Sequence, residues 1–255
     1  MDTLGFSFQT ALITGAGQGI GYEICRQLAL SGANVILNDV DEALAEKAAE
    51  SIRREGGNCE AMAGDVGDTG FIRKMVDDIV KKYGQLDIAI ANAGITFFSD
   101  FFDYTPESFS KVMQVNMAGT FFLAQAAAKQ MKQQKEGGSI LFTSSVVGHQ
   151  AHKQLAAYAM TKAGIEMLAK NLGIEISQYG INVNTIAPGA TLTERTLEDA
   201  SYKQVWSQLT PMGRPATTAD IANAALFLVH KNARQITGQT IIIDGGWTAI
   251  SPSPF

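Results

Sequence analysis

Short apolar runs alternate along this chain with longer stretches whose apolar residues recur every three or four positions. The runs fall at 10–13, 34–37, 59–62, 86–90, 139–143, 181–185 and 239–243. Between them, sets such as Ile20, Ile24 and Leu28, or Ile72, Met75, Val76 and Ile79, carry the spacing of one helical face. Strand, helix, strand repeated in this way predicts βαβ units and a mostly parallel sheet with helices on both faces. The strands are apolar almost throughout, as burial from both sides requires. No repeat, low-complexity tract or linker interrupts the order, so one α/β domain over 1–255 is expected. Two stretches break the alternation: an aromatic-rich loop near 95–105 and a long segment at 190–214. Both begin at C-terminal strand ends, where open α/β sheets bind ligands, and both are expected to shape a substrate pocket.

Composition narrows the function classes. The chain is 46% hydrophobic and 18% charged, which gives ample core for its 255 residues. A net charge of −5 without a Lys/Arg run argues against a nucleic-acid partner, because phosphate contacts need clustered cations. Cys25 and Cys59 fit no metal-ligand spacing and read as small buried hydrophobes in a reducing compartment. No metal site is therefore expected. The start, Met1 to Phe6, has no basic n-region, and no apolar stretch approaches the roughly 18 residues of a membrane span. Neither a secretory signal nor a membrane association is expected, and the cytoplasm is the expected location.

The first strand runs into Thr14-Gly15-Ala-Gly17-Gln18-Gly19-Ile20-Gly21, which opens the first helix. Glycine there permits a tight turn, lets backbone amides approach a pyrophosphate and allows close helix–strand packing. The helix N-terminus then faces the negative charge. Asp39 ends the second strand, 24 residues after Gly15. A carboxylate in that place bonds ribose hydroxyls and repels a 2′-phosphate, and no Arg or Lys stands at 38–40, so NAD is favoured over NADP. Capping of the helix near Glu42 is the competing role for Asp39.

Tyr158 and Lys162 stand four residues apart in a helical segment, with Ser145 thirteen residues upstream at the end of an apolar strand. An i,i+4 pair shares a helix face, so the ammonium can approach the phenol and lower its pKa from about 10. Such a phenol can exchange protons near neutral pH. Asn116 falls on a helical face shared with Phe109, Val112, Met113, Thr120 and Leu123, where a buried amide needs partners.

The ordered set Thr14-Gly15-x3-Gly19-x-Gly21, Asp65-Val66, Asn92-Ala93-Gly94, Asn116, Ser145, Tyr158-x3-Lys162 and Pro188-Gly189 resembles the short-chain dehydrogenase/reductases over essentially the full length. The tail motifs at 212–215 and 243–246 extend the likeness. Ala91 departs from it, standing where many members have a further Asn. The resemblance implies a single Rossmann-type, doubly wound domain with a seven-stranded parallel sheet. It implies that Tyr158 is the acid/base, that Lys162 lowers the pKa of Tyr158 and holds the nicotinamide ribose, and that Ser145, not Ser144, bonds the substrate oxygen. Asn116 would hold a water linking Lys162 to solvent. Cofactor contacts are implied for Gly15, Gln18, Gly19, Ile20, Gly21 and Asp39. Asp65 and Val66 would border the adenine, and Asn92 and Gly94 the adjoining ribose. Pro188, Gly189 and Thr191 would face the nicotinamide, and Thr193 the pyrophosphate or ribose. His149 and His152 receive no role.

The implied activity moves a hydride between NAD(H) and a secondary alcohol or ketone, with a sugar or polyol dehydrogenase of glucose or gluconate type as the preferred reading. A 3-oxoacyl-[acyl-carrier-protein] reductase is the alternative, with Lys129, Lys132, Lys135 and Lys170 as the patch for an acidic carrier. A non-catalytic dinucleotide-binding regulatory module is the remote one. The helix expected at 158–177 carries Met160, Ile165, Met167, Leu168, Leu172, Ile174 and Ile176 around most of its circumference. One side then needs covering by another subunit, and a homotetramer is expected.

Overall fold

A computed structural model describes residues 5–250; the segment 1–4, in which no signal is read, lies outside them. The chain alternates β1 (Thr10–Ile13), α1 (Gly19–Leu30), β2 (Asn34–Leu37), α2 (Glu42–Arg54), β3 (Asn58–Ala61), α3 (Thr69–Tyr83) and β4 (Ile88–Ala91). It continues through α4 (Pro106–Val112), α5 (Thr120–Met131), β5 (Gly138–Thr143), α6 (Ala156–Glu175) and β6 (Ile181–Pro188). The last elements are β7 (Thr191–Leu192), α7 (Tyr202–Leu209), β8 (Ala216–Thr217), α8 (Thr218–Val229) and β9 (Thr240–Ile243).

Seven strands form one parallel sheet in the order β3-β2-β1-β4-β5-β6-β9. The chain works outward from β1 to β3, then returns to β4 and works outward the other way. The order therefore reverses between β1 and β4, the place where such sheets open a crevice at their strand C-termini. Alternate residues of each strand feed two separate cores. Ala11, Ile13, Val35, Leu37, Ile88 and Ile90 pack against α1, α2 and α8. Leu12, Ile36, Ala89, Ile140, Phe142 and Val183 pack against α3, α5 and α6. Each fully buried Leu or Ile contributes about 1.5–3 kcal/mol by removal from water, so both layers hold the strand ends in fixed register.

The strand positions agree with the hydrophobic pattern, while several ends differ. β6 runs on to Pro188 because its pairing with β9 continues to Pro188 and Ile243. The helix expected at 158–177 begins two residues earlier, at Ala156, and stops at Glu175. The 190–214 segment is more ordered than its sequence suggests. β7 and β8 pair over two residues each, and α7 lies between them.

Candidate active site

The turn between β1 and α1 is built by backbone conformations that disfavour a side chain. Gly15 and Gly19 have φ of +59° and +64°. A Cβ on Gly15 would also lie 2.6 Å from the Ala93 Cα. Asp39 closes the turn from the β2 side, its Oδ2 accepting the Gly17 N–H at 3.0 Å and its Oδ1 the Asp41 N–H at 3.2 Å. The cap of the helix after β2 is Asp41, which accepts from the Leu44 N–H. Gln18 precedes α1 and makes no side-chain cap, so the helix presents its first amides without a carboxylate or hydroxyl of its own. That cradle suits an anionic group.

Asn92, at the end of β4, joins the turn to the next strand. Its Nδ2 donates to the Thr14 and Gly15 carbonyls at 3.1 and 2.8 Å. Its Oδ1 accepts from the Thr143 hydroxyl at 3.2 Å. The side chain is thus committed to the protein, which leaves its exposed edge and the neighbouring Gly94 to line the cleft. Further along that rim, Asp65 is held below the usual carboxylate range by the Gly67 N–H and by Lys111 at 3.2 Å, against the opposing effect of burial. Val66 beside it is buried.

A cleft of about 330 Å³ starts at Gln18, Gly19 and Ile20 and passes Asn92 and Gly94 to Ser145, Tyr158 and Lys162. Pro188, Gly189, Thr191 and Thr193 form its other wall. Eleven of the residues expected from the sequence therefore share one cavity besides Asn92. Gly15, Gly21 and Asp39 support its floor, while Asp65 and Val66 lie beyond its lining. Ser145 and Tyr158 line the cleft together, and the Ser145 Oγ accepts the Val147 N–H at 3.4 Å. The neighbouring Ser144 turns inward instead, donating to Glu166 at 2.6 Å.

Lys162 is buried, and its Nζ donates to the Thr143 carbonyl at 2.6 Å. Burial lowers its pKa to about 8. The ammonium stands 5.3 Å from the centre of the Tyr158 ring. The phenol departs from the expectation drawn from the i,i+4 spacing: its pKa is raised, because burial outweighs the Ser145 hydrogen bond and the charge of Arg195.

Asn116 also departs from its expected setting. It lies in a π-helical stretch, Met113–Gly119, between α4 and α5. π-Helical turns are common at functional sites because they re-aim a side chain within a helix. The amide accepts the Ile95 N–H at 2.9 Å and donates to the Ile95 carbonyl at 3.0 Å and to the Thr161 hydroxyl at 3.2 Å. A Cβ on Gly94 would sit 3.3 Å from the Lys162 Nζ and 3.5 Å from the Asn116 Oδ1, so glycine keeps the space between them open.

Several residues of the site escape sequence reasoning. Glu166 ties Ser144 to His149, whose Nδ1 lies 2.9 Å from the carboxylate. Glu166 follows Lys162 by one helical turn, a spacing that could have flagged it. Arg195 and Tyr202 line the cleft from the 190–214 segment. His152 stacks on Trp247 at 5.1 Å.

A family model described as enoyl-(acyl carrier protein) reductase matches residues 15–248. The chain is 34% identical to an L-rhamnose 1-dehydrogenase (NAD(P)(+)) of Azotobacter vinelandii, over 93% of this chain and 96% of that protein. It is 36% identical to a 3-oxoacyl-[acyl-carrier-protein] reductase of Staphylococcus aureus, over 93% and 97%. The crystal structure of a gluconate 5-dehydrogenase from Burkholderia cenocepacia, in complex with NADP and tartrate, matches with a TM-score of 0.91 at 33% identity, covering 98% and 99% of the two chains. The chain belongs to the short-chain dehydrogenase/reductases, oxidoreductases of CH–OH and C=O groups that bind a nicotinamide dinucleotide.

Two outcomes follow from the geometry. Asn92→Ala leaves the Thr14 and Gly15 carbonyls and the Thr143 hydroxyl without their partner, and should lower unfolding free energy by about 2–3 kcal/mol in urea titrations. A loss below about 0.5 kcal/mol would show that the strand ends do not depend on it. Lys162 has a native pKa below its unfolded value near 10.4, so between about pH 8 and pH 10.4 the unfolded chain binds more protons. Its stability cost is full below that window and is relieved as pH rises through it. Relative to Lys162→Met, the wild type should gain up to about 3 kcal/mol across the window. A flat difference in thermal melts would contradict the burial of a titrating ammonium.

Proposed function

We propose that this protein is an NAD-dependent dehydrogenase of secondary alcohols, with sugars or polyols as the preferred substrates and the corresponding ketones as products. The observation that carries the reading is the convergence of Ser145, Tyr158 and Lys162 on a cleft that continues to the uncapped amides of α1. The glycine turn fits the dinucleotide phosphates, since a side chain at Gly15 would meet the Ala93 backbone. Gly19, Ile20 and Thr193 would hold the pyrophosphate, Asp39 the adenosine ribose, and Pro188, Gly189 and Thr191 the nicotinamide side. NAD supplies the chemistry of hydride acceptance from the carbinol carbon, and NADH its return to the carbonyl carbon.

The chain's own residues handle position and proton. Ser145 holds the substrate oxygen by a hydrogen bond. Tyr158 takes the hydroxyl proton as the alcohol becomes a ketone, and gives it back in reduction. Lys162, fixed by the Thr143 carbonyl, orients toward the ribose and the phenol. The open space beside Gly94, bordered by the Lys162 Nζ and the Asn116 Oδ1, suits a water that passes the proton outward.

Asp39 supports NAD because its carboxylate already accepts the Gly17 N–H and would repel a further phosphate there. Apolar residues on the outer faces of α5 and α6 support a homotetramer: Phe121 and Phe122 on one, and Met160, Met167 and Ile174 seven residues apart on the other. Among the described residues no helix is long and apolar enough to cross a membrane, and a cytoplasmic enzyme is the reading we adopt.

Tyr158→Phe should lower kcat by about 10²–10⁴-fold while leaving NADH affinity within a few-fold, by steady-state rates and nucleotide fluorescence. Retained turnover would remove the phenol from the proton route. A panel of polyols, aldoses, hydroxysteroids and 3-oxoacyl thioesters with both nucleotides should favour NAD(H). Asp39→Asn should narrow that preference by about tenfold, the weight of one charge-assisted contact. Equal wild-type rates with NADP(H) would sink the role given to Asp39.

A further inference from the structure

The wall of the cleft opposite the glycine turn carries a cation that the reaction itself does not need. Residues 191–196 are tied into a compact turn by Thr196, whose hydroxyl accepts the Thr193 N–H at 2.8 Å and faces the Thr191 carbonyl at 2.9 Å. This turn carries Glu194 and Arg195 into the lining. Glu194 faces the nucleotide end, its Oε2 being 3.8 Å from the position a Cβ on Gly19 would take. Arg195 shares the lining with Tyr158 and Tyr202, and its charge opposes the burial that raises both phenols. Among the described residues Arg26, Arg53, Arg54 and Arg214 pair with carboxylates, whereas Arg195 has neither an ion pair nor a hydrogen-bond partner.

A row of aromatic rings starts at Tyr202, which shares the cleft lining with Arg195. Its ring lies 6.0 Å from Trp206, which meets Trp247 edge-on at 5.3 Å, and Trp247 stacks on His152 at 5.1 Å. The row joins α7, the segment after β9 and the loop after Ser145 into one rim. Of the nearby acidic groups, Asp244 accepts from Gly246 and Thr248 and Asp199 from Ser201, while Glu194 has its carboxylate toward Gly19. His149 is held by Glu166. The cleft lining thus holds Tyr202 and a cation together with the reacting phenol, and the row of rings extends away from Tyr202.

We propose that Arg195 is a specificity residue that binds a carboxylate of the substrate, and that the substrates are hydroxy acids, sugar acids included, with their oxo acids as products. The carbon chain would pass Tyr202, and the exposed guanidinium would meet the carboxylate through a planar, bidentate pair. The redox balance is that of the proposed reaction, on which this inference rests: the hydroxy acid loses hydride to NAD⁺ and its hydroxyl proton to Tyr158, giving oxo acid, NADH and a proton.

The test uses matched probes that differ in charge, gluconate against glucitol and 3-hydroxybutyrate against 2-butanol, with wild type, Arg195→Met and Arg195→Lys. Wild type should prefer the carboxylate of each pair in kcat/KM. Arg195→Met should cut that preference by about 10–100-fold, mainly through the KM of the acid, and Arg195→Lys should restore part of it. Both tryptophans of the chain, Trp206 and Trp247, stand in the aromatic row, so quenching of intrinsic fluorescence by gluconate in the NADH complex reports binding without turnover. Saturable quenching that Arg195→Met abolishes supports the anion subsite even where no probe is oxidised, an outcome that would remove the proposed redox reading alone. A wild-type preference for the neutral partners overturns the inference, as does an equal effect of Arg195→Met on both partners. So does a change confined to the KM of NAD, which would assign the guanidinium to the dinucleotide phosphates.

Discussion

The carboxamide of Asn92 sits at the reversal of strand order and holds the two halves of the site in one frame. On one side it bonds the Thr14 and Gly15 carbonyls, and on the other the Thr143 hydroxyl. Thr143 in turn offers its carbonyl to Lys162. A continuous line of hydrogen bonds therefore runs from the glycine turn of β1, across the end of β4, to the ammonium on α6. The nucleotide cradle and the acid/base pair belong to different βαβ units, and hydrophobic packing alone would set their separation only as well as two strands slide. Directional bonds at the strand ends fix it more tightly, and each has a partly buried partner that would be left unpaired by a shift.

Electrostatics in the cleft is governed by dehydration. The sequence spacing of Tyr158 and Lys162 suggests a cation that acidifies a phenol, yet burial lowers the lysine to about 8 and raises the tyrosine. Both groups are pushed toward their neutral forms, which moves their values apart: the lysine falls to about 8 while the tyrosine rises from its ordinary value near 10. The phenol therefore holds its proton more tightly than the lysine does.

Much of this architecture is legible in the sequence, and the reasons are specific. β1 and β2 are read to the residue because turn glycines and polar residues end their apolar runs abruptly. β4 is displaced, since Leu86 is buried and apolar but precedes the paired segment. Asn116 is visible as an amide on an apolar face, whereas the π-helical stretch around it is not, because one extra backbone residue per turn leaves no mark on the composition. The fold of 190–214 is hidden for another reason. A two-residue pairing of β7 with β8 is too short to show alternation, and Arg195 is a single exposed cation with no periodic company.

Glu166 gives the catalytic unit a mechanical character. It reaches from α6 to Ser144 and His149, on either side of the loop that carries Ser145, while Tyr158 and Lys162 ride on the same helix. Serine, tyrosine and lysine are thereby mounted on one strand–loop–helix body, β5 to α6. Arg195 and the ring of Tyr202 are mounted on a different one, beyond β6. If the second body swings, the entrance changes width while the spacing of the reacting groups stays constant. Fit and chemistry can then drift independently, which is how one proton-transfer core comes to serve many differently shaped molecules.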